Sequence, residues 1–341
     1  MTKELRKRKD RKKEHIDYFM KSNYKRSTLF EDIYLEHNAL PELNLDDIDT
    51  KTVFMGKKVD FPLMINAITG GTDFSREINV ELARLAKKFN IPIAVGSQTI
   101  ALQNEDSRQS FQVVRDILED GIVIANLSAS SSIDEVNSAI DMIRADGIQL
   151  HLNAAQELSM KEGDRNFKGI IDNIKNVVNS VDKPVIVKEV GFGISRNAAE
   201  RLYNVGIRYI DVSGAGGTNF IEIENMRNDE YDFTDVYSWG IPTALSLLQC
   251  IGISNELNII ASGGIRDSQE VVKSLCIGAK LAGISGQVLR RLLDGGFEDA
   301  SNYLKELTYK IKVLMLLLGK QNLKELQNTP YKIKGELKEL L

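Results

Sequence analysis

Residues 147–157 read Gly-Ile-Gln-Leu-His-Leu-Asn-Ala-Ala-Gln-Glu, so His151, Asn153, Gln156 and Glu157 follow one another within seven residues at the end of an apolar stretch. An imidazole and a primary amide can donate or accept hydrogen bonds, and a carboxylate is a hard oxygen ligand. The set therefore suits an anionic substrate accompanied by a divalent cation, with Glu157 as the metal-ligating candidate. A strand surfacing into a polar loop accounts for any one of these residues, but less well for all four. A second pattern is glycine-rich. Ser262-Gly263-Gly264-Ile265-Arg266 and Ser285-Gly286 each follow a short apolar run. Glycine there lets backbone N–H groups close on an anion, and a helix start adds the positive end of its dipole. Ser213 and Thr218 flank another glycine-rich stretch that could reach the same phosphate.

Such residues need a scaffold that gathers them. From residue 61 the chain alternates short apolar runs with amphipathic stretches. The runs are residues 63–67, 91–95, 122–127, 148–152, 185–190, 209–212, 259–261 and 281–284. Helical periodicity covers residues 75–89, 107–119, 133–145, 167–178, 195–205, 242–251, 268–276 and 297–317. Eight βα units predict an α/β protein of the closed (β/α)8 TIM-barrel type, in preference to an open doubly wound sheet. The expected organisation is an extension over residues 1–60, a basic helix from residue 4 to about 22 plus linking segments that plug or flank the barrel, and a barrel over 61–341. The stretch 219–238 is acidic and shows no helical period, which predicts a lid ordered by substrate.

Active sites of such barrels lie at the carboxyl ends of the strands. Those ends carry Asn66 to Gly71, Ser97, Asn126, His151 to Asn153, Lys188 and the glycine-rich loops. A cofactor anchored by phosphate at Gly263, Gly264, Ile265, Arg266, Ser285 and Gly286 would lay its ring toward Thr69, Ser97, Asn126 and Lys188. Lys188 ends the apolar run Val185-Ile186-Val187, so it either pairs with a carboxylate such as Glu189 or faces a negative ligand. A reduced flavin ring is such a ligand.

Composition narrows the class. Hydrophobic content of 43% and charged content of 27% fit a globular protein. The two cysteines, Cys250 and Cys276, sit apart in apolar segments, which predicts buried thiols in a reducing compartment and a cytoplasmic protein. No apolar run approaches the length of a membrane span, and none follows the basic start as in a signal peptide. Net charge is −4, yet Lys3, Arg6, Lys7, Arg8, Lys9, Arg11, Lys12 and Lys13 crowd the first residues. That run lacks the interleaved aromatics of a nucleic-acid binder, and the rest of the chain is acidic. Arg11 and Lys12 stand just before His15-Ile16, where the helix gains an apolar face, and are expected to be fixed while the earlier cations stay solvated.

Taken together, the chain resembles the type 2 isopentenyl-diphosphate Δ-isomerases along essentially its whole length. The resemblance is carried by Arg11-Lys12-Lys13-Glu14-His15-Ile16, Thr69-Gly70-Gly71, Gly96-Ser97-Gln98, His151-Leu152-Asn153 with Gln156-Glu157, Glu162 to Phe167, Lys188 to Gly193, Ser213 to Thr218 and the Gly-Gly-Ile-Arg loop. It implies an FMN-dependent barrel interconverting isopentenyl and dimethylallyl diphosphate, active with reduced FMN and Mg²⁺, with NADPH as reductant and a homo-oligomeric tetramer or octamer. By the same likeness Arg11 and Lys12 grip the diphosphate, Glu157 binds Mg²⁺, and Ser97, His151, Asn153 and Gln156 line the substrate pocket. His151 and Gln156 are the catalytic candidates, Gln156 as an orienting or relaying group because a neutral amide is no strong acid or base. Ala67, Ile68, Thr69, Ser97, Asn126, Lys188, Ser213 and Thr218 join the two phosphate loops in holding FMN. The chain departs from the family pattern at Ile68, where methionine is frequent, at Thr99, where arginine is frequent, and at Lys161, where proline is frequent. The rival enzyme reading is an FMN-dependent 2-hydroxy-acid oxidoreductase. It needs a histidine base near the late barrel loops, whereas His15, His37 and His151 all fall in the first half of the chain.

Overall fold

Eight parallel strands close on themselves in chain order: Leu63–Ile65, Ile93–Ala94, Val123–Ser128, Gly147–Leu152, Val185–Glu189, Tyr209–Asp211, Asn258–Ala261 and Leu281–Ile284. The computed structural model describes residues 3–22, 24–228 and 230–341, with side chains from residue 10 onward. The cations Lys3, Arg6, Lys7, Arg8 and Lys9 expected to be solvated therefore lie outside the described side chains, as does Asp229 of the acidic stretch.

The period of two along each strand divides the barrel interior into layers. Met64, Ile124, Ile186 and Ile260 belong to one buried apolar cluster. Two residues further along the same strands come Asn66, Asn126, Lys188 and Ser262, also buried but polar. An apolar floor thus supports a polar layer at the carboxyl ends. Below the floor, the antiparallel hairpin Thr52–Phe54 and Lys57–Val59 inserts Phe54 and Val59 into the apolar cluster, with Phe54 edge-on to Tyr209 at 5.6 Å between ring centroids. Its two-residue turn, Met55 (φ 46) and Gly56 (φ 78), has the paired left-handed geometry that matches hairpin twist. The expected plug is this hairpin.

Helices follow the strands as expected, held by local caps: Thr72 accepts from the Ser75 amide, Ser132 and Glu135 form a capping box, and Asp267 accepts from the Glu270 amide. Two differences from the sequence reading bear on the site. The last barrel helix begins at Gly286, not at residue 297, and is broken at Gly296, whose φ of 72° no helix accommodates. Its first segment therefore starts directly on the eighth-strand loop. The stretch 219–238 is not wholly irregular: Asn219 caps a helix, Phe220–Asn225, in which Ile221, Glu222, Ile223 and Glu224 are all buried. Four successive buried positions on a six-residue helix leave no apolar period to detect, and two of them are acidic.

The N-terminal helix Lys3–Lys21 lies over the carboxyl end of the barrel. Ile16, 5% exposed, joins the main core. Arg290 lies 5.2 Å over the Phe19 ring and donates to the Phe19 and Met20 carbonyls at 3.4 and 3.5 Å, neutralising the helix's negative end. Strand Ile33–Leu35 pairs antiparallel with Tyr331–Ile333, tying the extension to the end of the chain.

Candidate active site

The polar layer, the strand-end loops and the N-terminal helix enclose a cavity of about 980 Å³. Of the expected cofactor residues, Ala67, Ile68, Ser97, Asn126, Lys188, Ser213, Thr218, Gly263, Gly264, Ile265, Arg266, Ser285 and Gly286 line it. So do Arg11, Lys12, His151, Asn153, Gln156 and Glu157 from the expected substrate end. Thr69 is the exception. It is 1% exposed, its hydroxyl lies 2.9 Å from Ser75 Oγ, and it does not reach the cavity.

At one end two glycine loops stack back to back. Gly263 (φ +101) and Gly264 (φ +84) have backbone conformations open to glycine, and a Cβ on either would strike the backbone of Gly214 or Gly216. Thr243 Oγ1 donates to the Gly263 carbonyl and Arg266 to the Gly216 carbonyl, fixing the pair. Gly286 opens the last helix beside them, so its first amide groups have no acceptor within the helix. This is a cradle built for an anion.

At the other end the cations and carboxylates are interlocked. Glu224, with 1% of its side chain exposed, accepts from His15 Nε2 at 2.8 Å and from Gln156 Nε2 at 3.1 Å, and both its oxygens are engaged once Arg227 is counted. Arg227 also donates to Glu14 at 2.8 Å and Glu162 at 3.4 Å, and Glu162 pairs with Arg11 at 3.6 Å. Burial works to raise the Glu224 pKa, but the His15 hydrogen bond and the charges of His15 and Arg227 prevail and bring it to about 2. Burial depresses His15 in turn, against the pull of the Glu224 hydrogen bond and charge. Glu157 Oε1 accepts from Asn153 Nδ2 at 2.8 Å and Oε2 from the Asp164 amide at 2.9 Å. Among the described residues no group of three His, Cys, Asp or Glu side chains forms a metal cage.

Between the ends, strand register sets His151 beside Lys188 and Lys188 beside Asp211. Lys188 donates to Ser213 Oγ at 2.8 Å and to the Glu189 carbonyl at 2.6 Å, with Asp211 Oδ2 at 4.0 Å. The lysine is therefore both paired with a buried carboxylate and turned to the cavity. Burial, aided by the charges of Lys12 and Lys188, brings the His151 pKa down to about 3.

Sequence reasoning did not find Glu224, Arg227 or Asp211. For the first two the available signal was the i, i+3 spacing of opposite charges, and for Asp211 an acid at the end of an apolar strand. Lys25 and Arg290 also line the cavity, where Thr99 brings no cation. All three histidines fall in the first half of the chain, yet the N-terminal helix carries His15 to Glu224, after the sixth strand.

A family model described as FMN-dependent dehydrogenase matches residues 104–332. Similar proteins over nearly the full length are named isopentenyl-diphosphate delta-isomerase: one from Bacillus licheniformis, 45% identical over 96% of this chain and 94% of its own, and one from Geobacillus, 41% identical over the same shares. The chain belongs to the type 2, FMN-linked isopentenyl-diphosphate delta-isomerase family. A further relative, from Moorella thermoacetica, is 42% identical over 96% of this chain and 94% of its own. Among solved structures, a mandelate oxidase variant with a monooxide FMN adduct superposes with a TM-score of 0.67 over 90% of both chains at 17% identity. That likeness shows the barrel fold. The family's departures at Ile68 and Thr99 both fall on the cavity wall, where Thr99 Oγ1 meets Ser97 Oγ at 3.1 Å.

Proposed function

We propose that this protein interconverts isopentenyl and dimethylallyl diphosphate with reduced FMN and Mg²⁺ bound. The observation that carries the reading is a single cavity with a glycine-built anion cradle at one end and Arg11, Lys12 and Glu157 at the other. It has room for a phosphate-bearing flavin and a diphosphate together. The cofactor fits because the cradle leaves backbone amides where side chains would block them, and Lys188 would supply a cation to it from the cavity wall. Bound reduced FMN would supply a proton-exchanging ring at the face of the alkene.

The chain's residues position the rest. Glu224, ionised, fixes Gln156 through its amide nitrogen, which leaves the amide oxygen to orient a group in the cavity or relay a proton. His15 donates to the same carboxylate and closes that side. Glu157 offers one carboxylate to Mg²⁺, the other ligands being diphosphate oxygens and water, the usual way this ion is held. Arg11 and Lys12 meet the remaining negative charge, and the diphosphate thereby contributes binding energy remote from the reacting carbons. NADPH as reductant, a cytoplasmic setting and assembly into tetramers or octamers complete the proposal. Exposed Trp239 and Tyr231, 70% and 65% accessible, offer apolar surface for assembly. Among the described residues no helix is long and apolar enough to cross a membrane.

The relatives matched over nearly the full chain are named isopentenyl-diphosphate delta-isomerase, which favours this reading over the rival oxidation of a 2-hydroxy acid. The test is proton NMR of isopentenyl diphosphate in D2O with reduced FMN and Mg²⁺. The proposal expects dimethylallyl diphosphate carrying deuterium, a higher Mg²⁺ requirement in Glu157→Gln, and retained flavin in that variant. Oxidation of mandelate without isomerisation would replace it with the rival.

A further inference from the structure

Beneath the cavity, side chains from four barrel strands form one continuous hydrogen-bond chain. His151 Nδ1 lies 2.9 Å from Asn126 Oδ1, Asn126 Nδ2 donates to Gln149 Oε1 at 3.2 Å, Gln149 Nε2 donates to Asn66 Oδ1 at 3.0 Å, and Asn66 Nδ2 donates to Asp211 Oδ2 at 2.5 Å. Amide side chains can run in either direction, so the direction of such a chain is set by groups whose roles cannot reverse. Two stand at its inner end. Asp211, 0% exposed, also accepts from Ser262 Oγ at 2.5 Å and from the Ser213 amide at 3.2 Å, with Lys188 Nζ at 4.0 Å. Ringed by donors, that carboxylate accepts only. The Ala67 backbone N–H, 2.9 Å from Asn66 Oδ1, donates only. Both demand the same orientation of Asn66, oxygen toward Ala67 and Gln149 and nitrogen toward Asp211. Each amide beyond it follows, and the last bond requires the proton to sit on His151 Nδ1.

We infer that Gln149 is a positioning residue that carries this fixed polarity to Asn126 and holds neutral His151 as its Nδ1–H tautomer, leaving unprotonated Nε2 as the ring nitrogen for the cavity. Gln149 is 0% exposed and does not line the cavity, so it acts only through its neighbours. Its consequence for recognition is definite. Neutral His151 accepts a hydrogen bond from an N–H of a bound ring, a metal-bound water or an ammonium, and it has no donor to give a phosphate oxygen. Burial keeps the ring in that neutral form. The inference concerns the protein's own hydrogen bonds and stands whether or not the proposed reaction is right.

The experiment is nitrogen NMR of the protein labelled with ¹⁵N-histidine, with and without FMN, at pH 7. The chain has only 3 histidines, so His15→Gln and His37→Gln assign the remaining signal. The expected His151 pattern is one protonated Nδ1 and one unprotonated Nε2. Gln149→Met, similar in volume but without the amide, should abolish the single-tautomer pattern and retain FMN binding. Gln149→Glu, whose neutral acid offers a carbonyl oxygen to Asn126 and a hydroxyl to Asn66 Oδ1, should preserve it. A parent protein with the proton on Nε2, or a Gln149→Met pattern identical to the parent, would overturn the inference. If Gln149→Met fails to fold, the parent spectrum and Asn126→Asp decide instead. A carboxylate placed against His151 favours a proton on Nδ1, and a ring whose only proton sits on Nε2 in either protein sinks the inference.

Discussion

Glu224 and Arg227 tie the N-terminal helix, Gln156 and the loop carrying Glu162 into one ionic cluster, and its properties follow from burial. A carboxyl whose pKa falls from 4.5 to about 2 on folding adds stability above pH 4.5 that is lost as the pH falls toward 2. Glu224→Gln should therefore lower stability at neutral pH and flatten the acid side of the denaturation profile between those values. An unchanged slope there would mean that Glu224 is not ionised in the folded protein. Arg227→Met leaves a buried anion with one cationic partner fewer and should cost about 3 kcal/mol, measured by denaturant unfolding. At this scale the sequence displayed His151, Asn153, Gln156 and Glu157 because they are adjacent in the chain and polar at the end of an apolar strand. Glu224 and Arg227 were hidden because their partners lie far away in sequence: His15 is 209 residues from Glu224, and only the docked helix brings them together.

The elements were largely legible, since a barrel strand is a short apolar run and eight of them recur with helical stretches between. What was missed has local causes. The helix Phe220–Asn225 is too short and too evenly buried to show a period, and the start of the last helix is separated from its main body by Gly296. The N-terminal helix was legible as a helix, but its placement rests on Arg290, Ile16 and the Glu224 cluster. That placement yields a discriminating pair of variants. Deleting residues 2–9 should change the Michaelis constant for the diphosphate little, whereas Arg11→Ala should raise it about tenfold, the loss of one charge-assisted contact of roughly 1.5–3 kcal/mol, with FMN retained. Equal effects would make the basic run a diffuse attractor. The hairpin plug is a second element to probe: Phe54→Ala removes a ring 1% exposed from the barrel floor and should cost about 3–5 kcal/mol in unfolding measurements. A loss near zero would mean the barrel closes without it.

For the whole molecule, the barrel separates stability from chemistry, with an apolar floor and plug at one end and polar strand ends under the helix at the other. Both cysteines lie in the wall of that structure, and burial pushes their thiols up to about 12, so neither should react with iodoacetamide at pH 8 until the protein unfolds. Rapid alkylation of the native protein would contradict this packing. The central claim is that the cavity moves a double bond without net oxidation. Its most direct test is an anaerobic assay of the FMN-loaded protein with isopentenyl diphosphate and Mg²⁺, following dimethylallyl diphosphate and NADPH together. Product should be absent with oxidised FMN and appear once FMN is reduced, with NADPH consumed only in that priming step. One NADPH oxidised per product formed, or equal turnover with oxidised FMN, would contradict the account.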